Sequence, residues 1–235
     1  MCGRITQKSN PSQLGLKIVS LLEPLYADNT PPRFNGSPGQ EHWVIRQNPQ
    51  TGERSLDRLW WGLIPYWCKD PKGGRKPINA KGETVASLPS FRDAYKRRRC
   101  ILPIDNFFEW KAIKGAKAKQ PYAIAMKSGE PFGIAAIWEN WQRPGTEEWL
   151  RTFAVVTCPA NELVAAIHDR MPVIIPAEAY VRWLSNAAPD PRDLLVPYPP
   201  GLMKIWPIST RVNKPQNDDP ALLEPLEVGD SSNLI

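Results

Sequence analysis

At 235 residues, with 42% hydrophobic and 23% charged side chains, the chain suits one sizeable folded core and is too apolar for a disordered segment. No apolar run approaches the roughly 20 residues that span a bilayer, and no basic-then-apolar leader opens the sequence, which points to a cytosolic or nuclear protein. The net charge of +6 permits a polyanionic partner such as nucleic acid without demanding one.

Asn10-Pro11 followed by Gln13 to Leu22 predicts a first helix, with Asn10 as cap and proline in the first turn. The loop from Pro31 to Gly39 is proline- and glycine-rich and irregular. His42 to Gln47 and Ser55 to Leu63 read as two strands joined by a turn at Asn48 to Gly52. Ser90 to Arg99 reads as a short basic helix, with Arg97-Arg98-Arg99 as a solvated helix end. Cys100 to Trp110, Pro121 to Met126, Pro131 to Trp138 and Trp149 to Thr157 read as antiparallel strands, and the lysine-rich stretch Lys111 to Lys119 as a wet hairpin turn. Helices are expected over Asn161 to Ile167 and Pro176 to Ser185, then strands over Asp193 to Tyr198 and Met203 to Ile208.

Twenty-six prolines argue against both a helical bundle and a doubly wound parallel sheet. The expected fold is α+β: a single domain on a mostly antiparallel, barrel-like sheet with peripheral helices. Residues 2–218 are assigned to it, and 219–235 to a polar tail expected to be partly disordered.

Four cysteines stand far apart with no C-x-x-C pair, so neither a zinc site nor a disulfide framework is supported, and no metal or cofactor is expected. Cys68, Cys100 and Cys158 read as core or subsurface residues. Cys2 differs, because it follows the initiator methionine directly. Removal of Met1 would leave a free α-amine and a thiol on one residue, with pKa values of about 8 and about 8.5 in an open chain. Such a 1,2-aminothiol condenses with an aldehyde to a Schiff base and closes to a thiazolidine. It can also attack an amide or ester.

Three more segments carry chemistry-bearing residues: Ile78-Asn79-Ala80-Lys81-Gly82-Glu83-Thr84, Asp105-Asn106-Phe107-Phe108-Glu109-Trp110 and Ile167-His168-Asp169-Arg170-Met171-Pro172. Singly, each has a plain structural reading. Asn79 suits a turn, Glu109 a pair with Lys111, and His168 a helix C-terminus. Among the ten tryptophans, Trp60, Trp61, Trp67 and Trp110 are placed to stack on a base, with core packing as the alternative for each.

Read in order, these segments form a pattern: Met-Cys-Gly-Arg, Arg-Phe-Asn…Pro-Gly-Gln, Trp-Gly-Leu-Ile-Pro-Tyr-Trp, Ile-Asn-Ala-Lys-x-Glu-Thr, Phe-Phe-Glu-Trp, Ile-His-Asp-Arg-Met-Pro and Ser-Thr-Arg-Val-Asn. Across roughly Cys2 to Asp218 the chain resembles the SOS-response-associated peptidase family, the abasic-site processing proteins. The resemblance implies a protein of the bacterial cytoplasm, or of a nucleus, that binds single-stranded DNA and cross-links to an abasic site through Cys2; the oligomeric state is open, with a monomer as the default. It implies that Asn79 positions the sugar and the cysteine, that Glu109 transfers protons, and that His168 helps open the sugar or reverse the link. It implies phosphate contacts from Arg4, Lys81 and Arg170, a DNA contact at Thr157, and flanking-base contacts from Trp67 and Trp110. Lys81 stands where the family commonly has arginine, which exchanges a bidentate fork for a point charge. A basic contact expected near Pro89 is missing. Self-release of Met1 and strand scission by β-elimination are further implied activities.

Two other readings of Cys2 stay open at this point. An N-terminal-nucleophile amidotransferase also begins Met-Cys-Gly, but the glutamine-binding Asn-Gly-Asp pattern has no good counterpart; Asn35-Gly36 is the nearest. A non-covalent single-strand binder would leave Cys2 incidental and bind with strong salt dependence.

Overall fold

The computed structural model describes residues 2–9, 31–48, 50–70, 76–115, 117–186 and 189–226. The helix expected over Gln13 to Leu22 lies outside them. In chain order the strands are β1 (Ile5–Gln7), β2 (Arg33–Gly36), β3 (Glu41–Gln47), β4 (Arg54–Trp61), β5 (Asn79–Lys81), β6 (Arg99–Ile104), β7 (Asn106–Lys111), β8 (Gln120–Met126), β9 (Phe132–Gln142), β10 (Trp149–Pro159), β11 (Arg170–Pro172), β12 (Ile174–Ile175) and β13 (Met203–Pro207). The helices are short: α1 (Arg92–Arg97), α2 (Glu162–Ala165) and α3 (Tyr180–Leu184).

Five strands close into a barrel in the order β10-β4-β3-β6-β9, with β9 pairing back onto β10 from Trp149↔Gln142 to Val155↔Ala136. Closure removes the exposed edges of an open sheet. Strand β9 is nonetheless buried along nearly its whole length, so its outer face is covered as well; the Tyr180 side chain of α3 lies against Gly133 and accepts its amide (2.8 Å). The β3–β4 hairpin forms as its sequence requires: the Asn48 carboxamide accepts the amides of Gln50 and Thr51, and Gly52 takes φ 75°. Strand β11 and the short β5 extend the two edges of β10 beyond the barrel; β5 runs parallel to β10, from Val155↔Asn79 to Thr157↔Lys81.

A second sheet has the order β13-β8-β7-β1-β2. One face, with Ile5, Phe107 and Ile124, joins the barrel core. The other face, with Phe108 and Ala123, is covered by Ile208, Val212 and Leu222 from the C-terminal segment. The start of the chain is therefore threaded into a sheet interior, with Ile5 opposite both Phe107 and Gly36. A frayed terminus would leave Cys2 wet; this placement buries it completely.

The structure bears out the mixed α+β, barrel-based fold and changes several elements. Cys100 to Trp110 is two strands in two sheets, β6 in the barrel and β7 outside it. The break falls at Asp105, whose carboxylate accepts the amides of Lys8 (2.6 Å) and Ser9 (2.9 Å) and the Ser9 hydroxyl. Asp105 and Asn106 mark the break and are themselves buried, as are the apolar residues on either side. Asp193 to Tyr198 is not a strand: a 3-10 turn occupies Pro191–Leu194, and the following prolines cannot donate to a ladder.

The solvated arginine run is also corrected, since Arg99 is buried. Its guanidinium donates to Tyr95 O and Lys96 O in the last turn of α1 and to Trp183 O and Ser185 O at the end of α3. It thereby satisfies carbonyls at two helix C-termini, where a positive charge is favoured. Packing continues past Asp218. Leu222 is buried, Trp206 Nε1 donates to Leu223 O (2.9 Å), and Leu226 N donates to Pro207 O (3.0 Å).

Candidate functional site

Cys2 lies just before β1 and beside β7: Phe108 N donates to Arg4 O (3.0 Å), carrying the ladder toward the chain start. From the barrel side, Asn79 Nδ2 donates to Cys2 O (2.9 Å) across 77 residues of sequence. The Asn79 Oδ1 is buried with no hydrogen-bond partner among the described residues. An acceptor left open beside a buried cysteine is costly unless a ligand supplies the donor.

Glu109 follows Phe107 by two residues on β7, so strand alternation turns it toward the barrel and Cys2. It is buried, and burial pushes its pKa up to about 7 against the pull of the α-ammonium at the chain start. The Cys2 thiol is pushed well up, first by burial and then by the Glu109 carboxylate. Cys2 is thus held as a thiol, next to a carboxyl group that shares a proton near neutrality.

His168 follows α2, which is capped by Asn161 Oδ1 accepting Val164 N (3.0 Å). Its Nδ1 accepts the Arg170 amide (3.0 Å), which sets the neutral ring with its proton on Nε2. Asp169 Oδ1 also lies 2.9 Å from Nδ1, but that carboxylate is highly exposed and weakly held, and the backbone amide decides the tautomer. Partial burial, followed by the α-ammonium, lowers the His168 pKa.

The residues expected to touch DNA divide. Lys81 and Trp67 are exposed, and Trp110 is partly exposed with its Nε1 on Asn213 Oδ1 (2.7 Å). Arg4 is turned inward. Its Nη1 donates to Asn35 Oδ1 (2.7 Å) and Val212 O (2.6 Å), and its guanidinium lies 5.8 Å from the centre of the Trp110 ring. Thr157 is fully buried between β5 and β11. Arg170 spends its fork on Glu83, with Nη1 to Oε1 at 2.7 Å and Nη2 to Oε2 at 2.8 Å, and Nη2 also donates to Thr157 O (2.8 Å).

Glu83 was not singled out by the sequence reasoning, although it stands in the same motif as Asn79 and Lys81. Asn35 was weighed only as the nearest match to an amidotransferase pattern, and its structural role was missed. Its Nδ2 lies within hydrogen-bond distance of Val212 O, Lys214 O and Asn217 O, tying the Arg-Phe-Asn loop to the Ser-Thr-Arg-Val-Asn segment. Its place in a recurring motif was the available signal. Among the described residues no group of three or more His, Cys, Asp or Glu stands together to hold a metal ion, and no helix is long and apolar enough to cross a membrane.

Residues 1–215 match the family described as SOS response associated peptidase (SRAP). The chain belongs to the SRAP family. It is 38% identical over 227 residues to the abasic site processing protein YoqW of Bacillus subtilis, covering 95% of this chain and 99% of that one. It is 31% identical over 209 residues to the abasic site processing protein HMCES of Gallus gallus, covering 79% of this chain and 62% of that longer one. Among solved structures, a phage-related protein of Bordetella bronchiseptica superposes with a TM-score of 0.67 at 30% identity, covering 89% of this chain and 95% of that one. Of the motifs named above, the one with Asn79 reaches Cys2, and those with Arg4 and Asn35 tie the chain start to the segment from Val212 to Asn217.

Proposed function

We propose that this chain processes abasic sites in single-stranded DNA, capturing the ring-opened sugar through the amine and thiol of Cys2 once Met1 is gone. The observation that carries the reading is Cys2 buried against Asn79 and Glu109, with the Glu109 carboxyl able to give and take a proton at neutral pH. The membership in SRAP and the relatives' names support the DNA lesion as substrate.

The chemistry balances on these residues. The α-amine adds to the C1′ aldehyde to give a carbinolamine. Glu109 protonates the departing hydroxyl, which leaves as water, and an iminium forms. The Cys2 sulfur then adds to the iminium carbon while its proton passes to the Glu109 carboxylate, closing the thiazolidine and restoring the acid. Overall, aldehyde and aminothiol give thiazolidine and one water. His168, neutral and at the rim, takes the proton from O1′ and returns one to O4′ as the closed sugar opens. Asn79 Oδ1 accepts from a sugar hydroxyl or from the amine.

Two side reactions follow from the same groups. The Cys2 thiol can attack the Met1 carbonyl and release methionine by hydrolysis of the resulting thioester, a peptidase step. Loss of a C2′ proton from the iminium expels the 3′-phosphate, a lyase step in competition with ring closure. A DNA substrate places the chain where DNA is held, in the bacterial cytoplasm or in a nucleus.

The test is a denaturing gel of trimmed protein with a single-stranded oligonucleotide bearing one abasic site, beside Cys2→Ala. A slow-migrating, heat-stable band in the wild type and none in the variant is the expected result. Absence of the band from correctly trimmed wild type that still binds the DNA overturns covalent capture, and ammonia release from glutamine would then point to the amidotransferase reading.

A further inference from the structure

Between Trp110 and Gly129 the sequence contains no acidic residue, yet it places Lys111, Lys114, Lys117 and Lys119 in nine positions. The structure makes these the hairpin between β7 and β8, with Lys111 opposite Gln120 and the described residues from 112 to 119 exposed. None of the four makes an ion pair with a described residue; the ion pairs found there are made by arginines and His168. Like charges gathered on one short turn repel one another, and a sequence that keeps them unpaired retains a standing electrostatic cost.

The hairpin grows from the strand that carries Glu109. Glu109 pairs with Tyr122 and Lys111 with Gln120, so the hairpin begins two residues beyond Glu109, and the positive charge of Lys119 is felt at both Glu109 and His168. Asp169 is the exposed acid felt at the same two residues.

We infer that the β7–β8 hairpin is a backbone-tracking arm, whose lysines neutralise phosphates of the DNA strand flanking the lesion on the His168 side. The inference rests on the abasic-site reading for the identity of the polyanion. Lysines on a turn suit this task. Each offers a mobile point charge that follows a flexible strand without fixing its conformation or reading its sequence. The arm would complement Lys81, which is exposed at the end of β5, the strand that carries Asn79.

The experiment measures equilibrium binding of a single-stranded oligonucleotide carrying a tetrahydrofuran abasic analogue, which has no aldehyde and cannot cross-link, across about 50 to 300 mM salt. The double variant Lys114→Ala/Lys117→Ala should flatten the plot of log affinity against log salt by about 1.4, some 0.7 for each lost phosphate. With equal binding near 1 M salt, that corresponds to roughly 25-fold weaker binding at 0.1 M. Lys127→Ala, on the turn at the opposite end of β8, should keep the wild-type slope. Equal slopes for wild type and double variant, or an equal loss from Lys127→Ala, overturn the arm. A parallel gel with a true abasic site separates the two ideas. Cross-linking with equal slopes removes the hairpin alone, whereas a slope difference without cross-linking removes covalent capture and leaves the arm standing.

Discussion

In the proposed mechanism Glu109 is the residue on which the chemistry turns. With its pKa raised by burial to about 7, the acid form needed for water loss is half populated at neutral pH. Above that it falls about tenfold for each pH unit. Cross-linking of the wild type should therefore slow as pH rises through 7, and Glu109→Gln should be slower throughout and lack that limb, while DNA binding stays intact. Single-turnover rates across pH check this, and an unchanged limb in the variant would move the titrating group elsewhere. Glu83 and Arg170 teach a second lesson at this scale. Glu83 is held far down in pKa, to about 2, chiefly by its hydrogen bonds to Arg170. It is nonetheless about half exposed, so Glu83→Ala should cost no more than about 1 kcal/mol. Arg170→Ala should cost more, since that side chain is largely buried and also holds Thr157; thermal melts of the two variants give the order.

Among the elements, β1 does the most positioning for its size, with three residues between β7 and β2. It is pinned at its far end by Asp105 and on its outer face through Arg4 and Asn35. Asn35 Nδ2 faces three carbonyls of the C-terminal segment, so Asn35→Leu strands buried acceptors and should destabilise the protein by roughly 2–3 kcal/mol. Urea unfolding measures that loss, and hydrogen exchange should show it first in residues 209–226. Gly36, next to Asn35, leaves no room either: a Cβ there would lie 2.5 Å from His42 Cε1. The Asn-Gly pair that sequence reasoning compared with an amidotransferase motif is explained by packing and by this carbonyl cluster.

For the whole molecule, acid stability depends on buried groups that oppose one another. His42 donates from Nε2 to Ser37 O (3.0 Å) and lies edge-on to Trp61 and Phe153; burial holds its pKa down to about 4. Unfolded, it would titrate at about 6.5, so the unfolded chain binds the extra proton between those values and stability falls as pH drops, by at most about 3 kcal/mol. Glu109 acts in the other direction. Its folded pKa of about 7 exceeds the unfolded value, so the native state binds the extra proton and stability rises as pH falls through 7. Burial raises Glu139 and lowers His168, adding one group to each side. The wild type should therefore show little change in melting temperature between about pH 7 and pH 5. Glu109→Gln should lose stability steadily on acidification over the same range, and His42→Gln should show the opposite slope. Parallel slopes for the two variants would remove the account.

Much of this protein was legible in the sequence. The β3–β4 turn, the strands over Pro121 to Met126, Pro131 to Trp138 and Trp149 to Thr157, and the helix from Asn161 follow from local chemistry, because turns and alternation involve residues a few positions apart. The ordered motifs from Met-Cys-Gly-Arg to Ser-Thr-Arg-Val-Asn were enough to indicate the family. Tertiary structure decided what no local rule contains. It broke the stretch from Cys100 to Trp110 at Asp105 into strands of two different sheets, and it turned Arg99 and Arg4 inward to cap carbonyls. It gave the fork of Arg170 to Glu83, and it set Asn79 against Cys2 across 77 residues. The physical reason is common to all four. A side chain's type fixes what it can donate, accept or titrate, but its partner and the water around it are set by chain closure, which brings distant segments to one place.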